Sequence, residues 1–176
     1  MTPIIHRYGG TVDKFIGDSV MAIFGAPLPR HGSDGLAADA ARAVDCALAM
    51  GQALGRLNAG WAEQGLPPIA IRIGINSGPV VAGSLGSSKR LEYTIIGDTV
   101  NTESGLESLD KEWAGLGAGE ACRILVSKST MAYLGERYEA HNIGSIRLKG
   151  KDSETEVFRI AGTRLQVAPP PDPARI

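Results

Sequence analysis

With 176 residues and 18 Lys plus Arg against 19 Asp plus Glu, the chain is long enough for one domain with a real core and is almost charge-neutral. That balance gives no electrostatic basis for binding nucleic acid or an anionic membrane, and no apolar run is long enough to span a bilayer and no signal peptide is visible. Cys46 and Cys122 are far apart in sequence and predict buried free thiols in a reducing, cytoplasmic setting rather than a disulfide.

In chain order, residues 11 to 24 read as a β-hairpin: two short apolar runs flank Gly17-Asp18, with Lys14 on the first run. A carboxylate at such a turn projects clear of the sheet, and with the neighbouring Lys it suits a metal-bound phosphate; Gly-Asp is equally an ordinary turn dipeptide. Asp34 through Leu57 predict an Ala-rich amphipathic helix with Leu36, Ala40, Val44, Ala47, Leu48, Gly51 and Leu54 on one face. Ile69, Ile71, Ile73 and Ile75 alternate as a half-buried strand does. Residues 80–85 and 91–96 read as strands joined through a loop from Gly86 to Arg90.

The second strand ends at Gly97, and Asp98 or Thr99 is placed to cap a helix running to about Lys111. Val100 and Leu106 can face the core, while Asn101 and residue 105, spaced i and i+4, share one face. Strand, cap and first turns together suit a phosphate-facing element. A Gly-rich loop from Glu112 to Ala121, a strand from Arg123 to Val126, a helix from Lys128 to Leu134, and strands at 138–148 and 156–160 follow. Pro169-Pro170-Pro171 and Pro173 mark a linker-like or disordered tail. His6, His31 and His141 form no ligand spacing. The mixture of helices and hairpin-linked strands is α+β.

Three stretches resemble the catalytic domain of class III nucleotide cyclases: residues 9–25, the run Arg72-Ile73-Gly74-Ile75-Asn76-Ser77-Gly78, and Tyr93-Thr94-Ile95-Ile96-Gly97-Asp98-Thr99-Val100-Asn101-Thr102. Leu148-Lys149-Gly150-Lys151 and Val157-Phe158 extend the likeness in the same order. The resemblance implies a ferredoxin-like core over residues 1–162 and a Pro-rich tail over 163–176. It implies conversion of ATP to cyclic AMP and pyrophosphate, with two Mg²⁺ or Mn²⁺ ions per site, in a head-to-tail homodimer or larger homo-oligomer. Asp18 matches a metal-binding aspartate, Lys14 and Thr94 the two purine-reading positions, Asn101 the ribose-orienting asparagine, and Lys149 the lysine for the terminal phosphates, with Lys151 as its alternative. Lys with Thr is similar to adenylyl rather than guanylyl cyclases, which usually carry Glu and Cys at these positions.

The chain departs from the family pattern twice. The resemblance puts the first metal-binding aspartate in an opening strand upstream of Gly9-Gly10, and residues 1–8 contain none. The chain is therefore expected to lack that strand and most of the first helices, and to expose a sheet edge that invites another chain. Gly105 occupies the position of the family's transition-state arginine, and Glu103 adds a negative charge where a small residue is usual. Losing a preorganised charge donor costs on the order of 3 kcal/mol in barrier height, so little or no turnover is expected of the isolated chain. The alternative reading is a degenerate cyclase-homology domain that binds nucleotide or dimerises in a regulatory role. A diguanylate cyclase is disfavoured by the absence of a Gly-Gly-Asp/Glu-Glu-Phe type signature.

Overall fold

The computed structural model describes residues 1–30, 32–87, 90–109, 121–148, 151 and 153–164; of residues 85–87 and 90–93 it describes the backbone only. The predicted Gly-rich loop falls almost wholly outside these residues, as does the tail beyond residue 164.

Helix α1 (Thr2–Arg7) leads into an antiparallel ribbon of β1 (Thr11–Ile16) and β2 (Ser19–Ile23). Helix α2 (Gly32–Ala62) follows, then β3 (Ile71–Ile75), a second antiparallel ribbon of β4 (Val81–Ser87) and β5 (Arg90–Ile96), and helix α3 (Asp98–Glu107). The chain continues through β6 (Cys122–Ser127), α4 (Lys128–Leu134), β7 (Tyr138–Arg147) and β8 (Glu154–Thr163). Four strands form one mixed sheet in the order β3-β6-β8-β7, with β3 and β6 parallel and the other pairs antiparallel. A parallel pair needs a long crossover, and the second ribbon plus α3 supplies it.

Period-two alternation along β6 explains how the sheet buries both faces. Ile124 and Val126 pack with Ala40, Ala41, Val44 and Ala47 of α2, whose small side chains let the helix lie close to the sheet. Leu125, between them, points to the other face and meets Leu106 of α3, Leu148 and Val157. Each fully buried leucine of this kind stabilises the fold by roughly 2 kcal/mol. A third cluster of Ile5, Cys46 and Met50, with Val12, Val20 and Phe24 against it, fastens the first ribbon to α1 and α2. Neither Cys46 nor Cys122 forms a disulfide; Cys46 is buried, which pushes its thiol up to about 12, and Cys122 is half-buried.

Several boundaries differ from the sequence expectation for physical reasons. Helix α2 runs about a turn beyond Leu57, and its buried stripe takes in Ala41, Cys46 and Met50 while Leu36 stays exposed. Ile69 lies before β3, held by paired bonds with the Asn58 amide (Asn58 Nδ2 to Ile69 O, 2.7 Å; Ile69 N to Asn58 Oδ1, 3.1 Å). The second ribbon's strands reach Ser87 and begin again at Arg90, shortening the expected loop. Helix α3 stops at Glu107, where Arg123 Nη2 donates to the carbonyls of Glu107 and Leu109. Such side-chain donors satisfy the orphan carbonyls of a helix end. No described helix is long and apolar enough to cross a membrane.

Candidate active site

Residues 13 and 14 of β1 should point to opposite faces of a regular ribbon. The pairing register slips between Val12 and Lys14, so Asp13 is the extra residue of a β-bulge. A bulge bends its strand and re-aims a side chain. Here it turns the Asp13 carboxylate to the side of Lys14, whose Nζ lies 3.3 Å from Asp13 Oδ2. The same oxygen accepts a hydrogen bond of 2.9 Å from Thr94 Oγ1 on β5. Asp13 has a side chain only 1% exposed and Thr94 is 7% exposed, while Lys14 remains half-open to solvent. Two residues 80 positions apart in sequence are thus gathered on one carboxylate oxygen.

The partner oxygen, Asp13 Oδ1, is buried without a hydrogen bond among the described residues. An unpaired buried acceptor costs about 1–3 kcal/mol, so the fold carries this carboxylate at a penalty that packing does not explain. Lys14 and Thr94 stand out in the sequence by their resemblance to the family's purine-reading positions, whereas Asp13 does not. Its only signal is an acidic residue inside a short, largely apolar strand.

The other sequence-predicted residues that the structure describes make no hydrogen bond or ion pair with Asp13, Lys14 or Thr94. Asp18, just past the ribbon turn at Gly17 (φ 62°), is exposed and makes no ion pair among the described residues. Asn101 is exposed on α3 and likewise has no partner among the described side chains. Lys149 lies outside the described residues. Its alternative, Lys151, is engaged: its Nζ forms an ion pair with the Asp98 carboxylate and approaches the Asp98 carbonyl at 3.4 Å.

Helix α3 is positioned by its neighbours rather than by a side-chain cap. Gly97 is the N-cap, at φ 150°, and neither Asp98 nor Thr99 serves as expected; Thr99 Oγ1 instead donates to Pro79 O at 2.7 Å. Asn76, at the end of β3, donates to the Thr99 carbonyl at 2.9 Å and accepts from Ser127 and Ser129 at 2.6 and 2.9 Å. One amide therefore ties β3 to the starts of α3 and α4. The position of Gly105 is not open space: a Cβ added there would stand 3.1 Å from Leu148 Cβ and 3.2 Å from its Cδ1. Glu103 sits two residues from Asn101, about 200° around the helix, on the side that crosses Gly74 of β3. Burial first, then the Glu107 carboxylate, push its acid up to about 7.

A cleft of about 370 Å³ opens beyond the ends of β3 and β6, lined by Asn76, Ser77, Thr99, Lys128 and Lys151 among others. Among the described residues its two cations are already paired, Lys128 with Glu156 at 2.6 Å and Lys151 with Asp98. For a divalent ion, Asp18 offers the hard oxygen donor that Mg²⁺ or Mn²⁺ prefers. One carboxylate does not fix an octahedral geometry, and no group of three His, Cys, Asp or Glu occurs among the described residues.

Residues 3–162 match the sequence family described as the adenylate and guanylate cyclase catalytic domain. The chain is 32% identical over 161 residues to adenylate cyclase 1 of Rhizobium meliloti (strain 1021), a match that covers 90% of this chain and 22% of that protein. The crystal structure of the adenylyl cyclase CyaB from P. aeruginosa is similar at a TM-score of 0.80 and 34% identity, covering 95% of this chain and 79% of that one. The guanylate cyclase domain of RhGC from Catenaria anguillulae, solved in complex with GTP, is similar at a TM-score of 0.71 and 29% identity, covering 93% and 78%. Similar proteins thus include both adenylyl and guanylyl cyclases.

Proposed function

Because the chain belongs to the adenylate and guanylate cyclase catalytic-domain family, we propose that it uses ATP, forming cyclic AMP and pyrophosphate at a site shared between two copies. The observation that carries the choice of nucleotide is the meeting of Lys14 and Thr94 on Asp13. A Lys ammonium is donor-only and suits adenine N1, and a Thr oxygen can accept from the adenine amino group. Guanine exchanges donor and acceptor at those two edge positions.

In the reaction the ribose 3′ oxygen forms a bond to the α-phosphorus, the bond to the β-phosphate oxygen breaks, and the hydroxyl proton is lost. Asn101 carries an exposed amide suited to hold the ribose, and Lys149 would meet the terminal phosphates. Asp18 would hold Mg²⁺ or Mn²⁺ together with ligands from outside this chain's described residues. When bound, such ions acidify the attacking hydroxyl and neutralise the leaving group. Asp18 and Asn101 have no side-chain partner among the described residues, which fits groups that complete a site only with nucleotide and a second copy. Exposed Phe15 (67%) and Ile16 (60%) on the first ribbon, with Val81 (67%) on the second, supply an apolar surface for that pairing.

Gly105 favours a second reading, a cyclase-homology domain that binds nucleotide and dimerises with little turnover, since Leu148 occupies the space beside it. The test is product formation from Mn²⁺-ATP and Mn²⁺-GTP, run alongside equilibrium binding of both nucleotides. Preference for ATP in binding is expected, with turnover well below that of ordinary cyclases. Preference for GTP would overturn the assignment, and brisk cyclic AMP formation would overturn the second reading.

A further inference from the structure

We propose that Asp13 is a specificity-determining positioning residue, whose carboxylate fixes the proton of the Thr94 hydroxyl so that Thr94 can only accept from the base. The inference rests on the reading of Lys14 and Thr94 as the purine-recognising pair.

A threonine hydroxyl is by itself ambidextrous: it rotates to donate or to accept, and the same oxygen can serve the adenine amino group or the guanine carbonyl. Thr94 lacks that freedom. Its Oγ1 stands 2.9 Å from Asp13 Oδ2, and a carboxylate accepts only, so the hydroxyl hydrogen is directed at Asp13. What remains for a ligand is the lone-pair side of Oγ1. An amino group at purine position 6 satisfies it; a carbonyl at that position meets a second acceptor, with no hydrogen between them.

Lys14 answers to the same oxygen, 3.3 Å away, which holds its ammonium beside Thr94 without removing its other N–H donors. The bulge in β1 makes the arrangement possible, since consecutive residues of an unbroken strand would not share one side. Deep burial of Asp13 shields the bond from water that would otherwise compete for the hydroxyl proton. Asp13 Oδ1 has no hydrogen bond among the described residues, so the carboxylate is retained although the packing around it leaves that oxygen unsatisfied.

The test uses α,β-methylene ATP and α,β-methylene GTP with Mn²⁺, whose affinities are measured for the full chain and for Asp13→Ala, Thr94→Val and the double variant. For the unaltered chain the ATP analogue is expected to bind more tightly. In Asp13→Ala the freed hydroxyl can donate to guanine, and the ATP:GTP affinity ratio should fall by about tenfold, mainly through tighter binding of the GTP analogue. In the Thr94→Val background the Asp13→Ala change should leave the ratio where it was, a non-additivity that loss of folding stability does not produce. Asp13→Asn keeps the shape if Asp13→Ala does not fold; its amide can donate to Thr94 and release the hydroxyl proton, so the ratio should fall here too. An unaltered ratio in folded Asp13→Ala and Asp13→Asn, with ATP still preferred, overturns the role of Asp13 and leaves the base-reading pair standing. Absence of any ATP preference in the unaltered chain overturns both.

Discussion

Lys14 and Asp18 stand four residues apart on one ribbon, yet Lys14 is tied to a buried carboxylate while Asp18 projects into solvent without an ion pair among the described residues. The same contrast divides Thr94, buried and hydrogen-bonded, from Asn101, exposed and without a side-chain partner among the described residues. Groups that discriminate between bases gain from rigidity, because selectivity is a difference between two affinities and a mobile donor blurs it. Groups that meet phosphates or metal gain from being free, because an internal pair would first have to be broken. Lys151, committed to Asp98, illustrates the opposite condition and is poorly suited to serve a triphosphate.

The largest effect is expected at α3. If Gly105 is what limits chemistry at the exposed half of the site, Gly105→Arg should raise cyclic AMP formation from Mn²⁺-ATP by about a hundredfold, as expected for restoring one preorganised charge donor. The added side chain meets Leu148, so the companion Gly105→Arg/Leu148→Ala variant relieves the contact. Turnover unchanged in both would remove Gly105 as the reason for expecting low turnover. At the hairpin turn, Asp18→Ala should weaken ATP-analogue binding about twentyfold in Mn²⁺ and hardly at all in EDTA, as a titration in the two buffers would read, because only the metal-borne part of the affinity depends on an oxygen ligand.

A smaller effect concerns the packed side of α3. The folded chain holds the Glu103 proton more tightly than the unfolded chain does, with the acid moved from its ordinary 4.5 to about 7. Protonation therefore favours the fold within that window, and the stability contribution falls as pH rises through it. Glu103→Gln should gain on the order of 1 kcal/mol at pH 8 and nothing at pH 4, measured by urea unfolding at each pH. The smallest change is expected at Lys151: its partner Asp98 is exposed, so Lys151→Ala should leave ATP-analogue affinity within about twofold, whereas Lys149→Ala should weaken it several-fold. Equal losses in the two would remove the reason for preferring Lys149 to Lys151 as the phosphate contact.

Legibility in the sequence followed the range of the interactions involved. Alternating isoleucines disclosed β3, the glycine-centred apolar runs disclosed the first ribbon, and Lys128–Leu134 was readable as a helix to its end residues. These depend on neighbours a few positions away. The cap of α3 was misassigned because Thr99 has a better acceptor in Pro79, 20 residues upstream. Asp13 was invisible as a site residue because the register slip that turns it belongs to the pairing of two strands, and its partner Thr94 is 81 residues away. Leu148 beside Gly105 is of the same kind: no local pattern announces which side chain fills the space a glycine leaves.

The bond from Thr94 to Asp13 joins the two antiparallel ribbons, which belong to separate sheets. Both ribbons also carry the bare apolar side chains Phe15, Ile16 and Val81. A hydrogen bond of 2.9 Å tolerates only a few tenths of an ångström of stretching before it weakens steeply. On the proposed reading of Thr94 as a base contact, any sliding of one ribbon across the other would be registered at the hydroxyl proton, and discrimination between purines would become a gauge of how squarely the two ribbons are aligned.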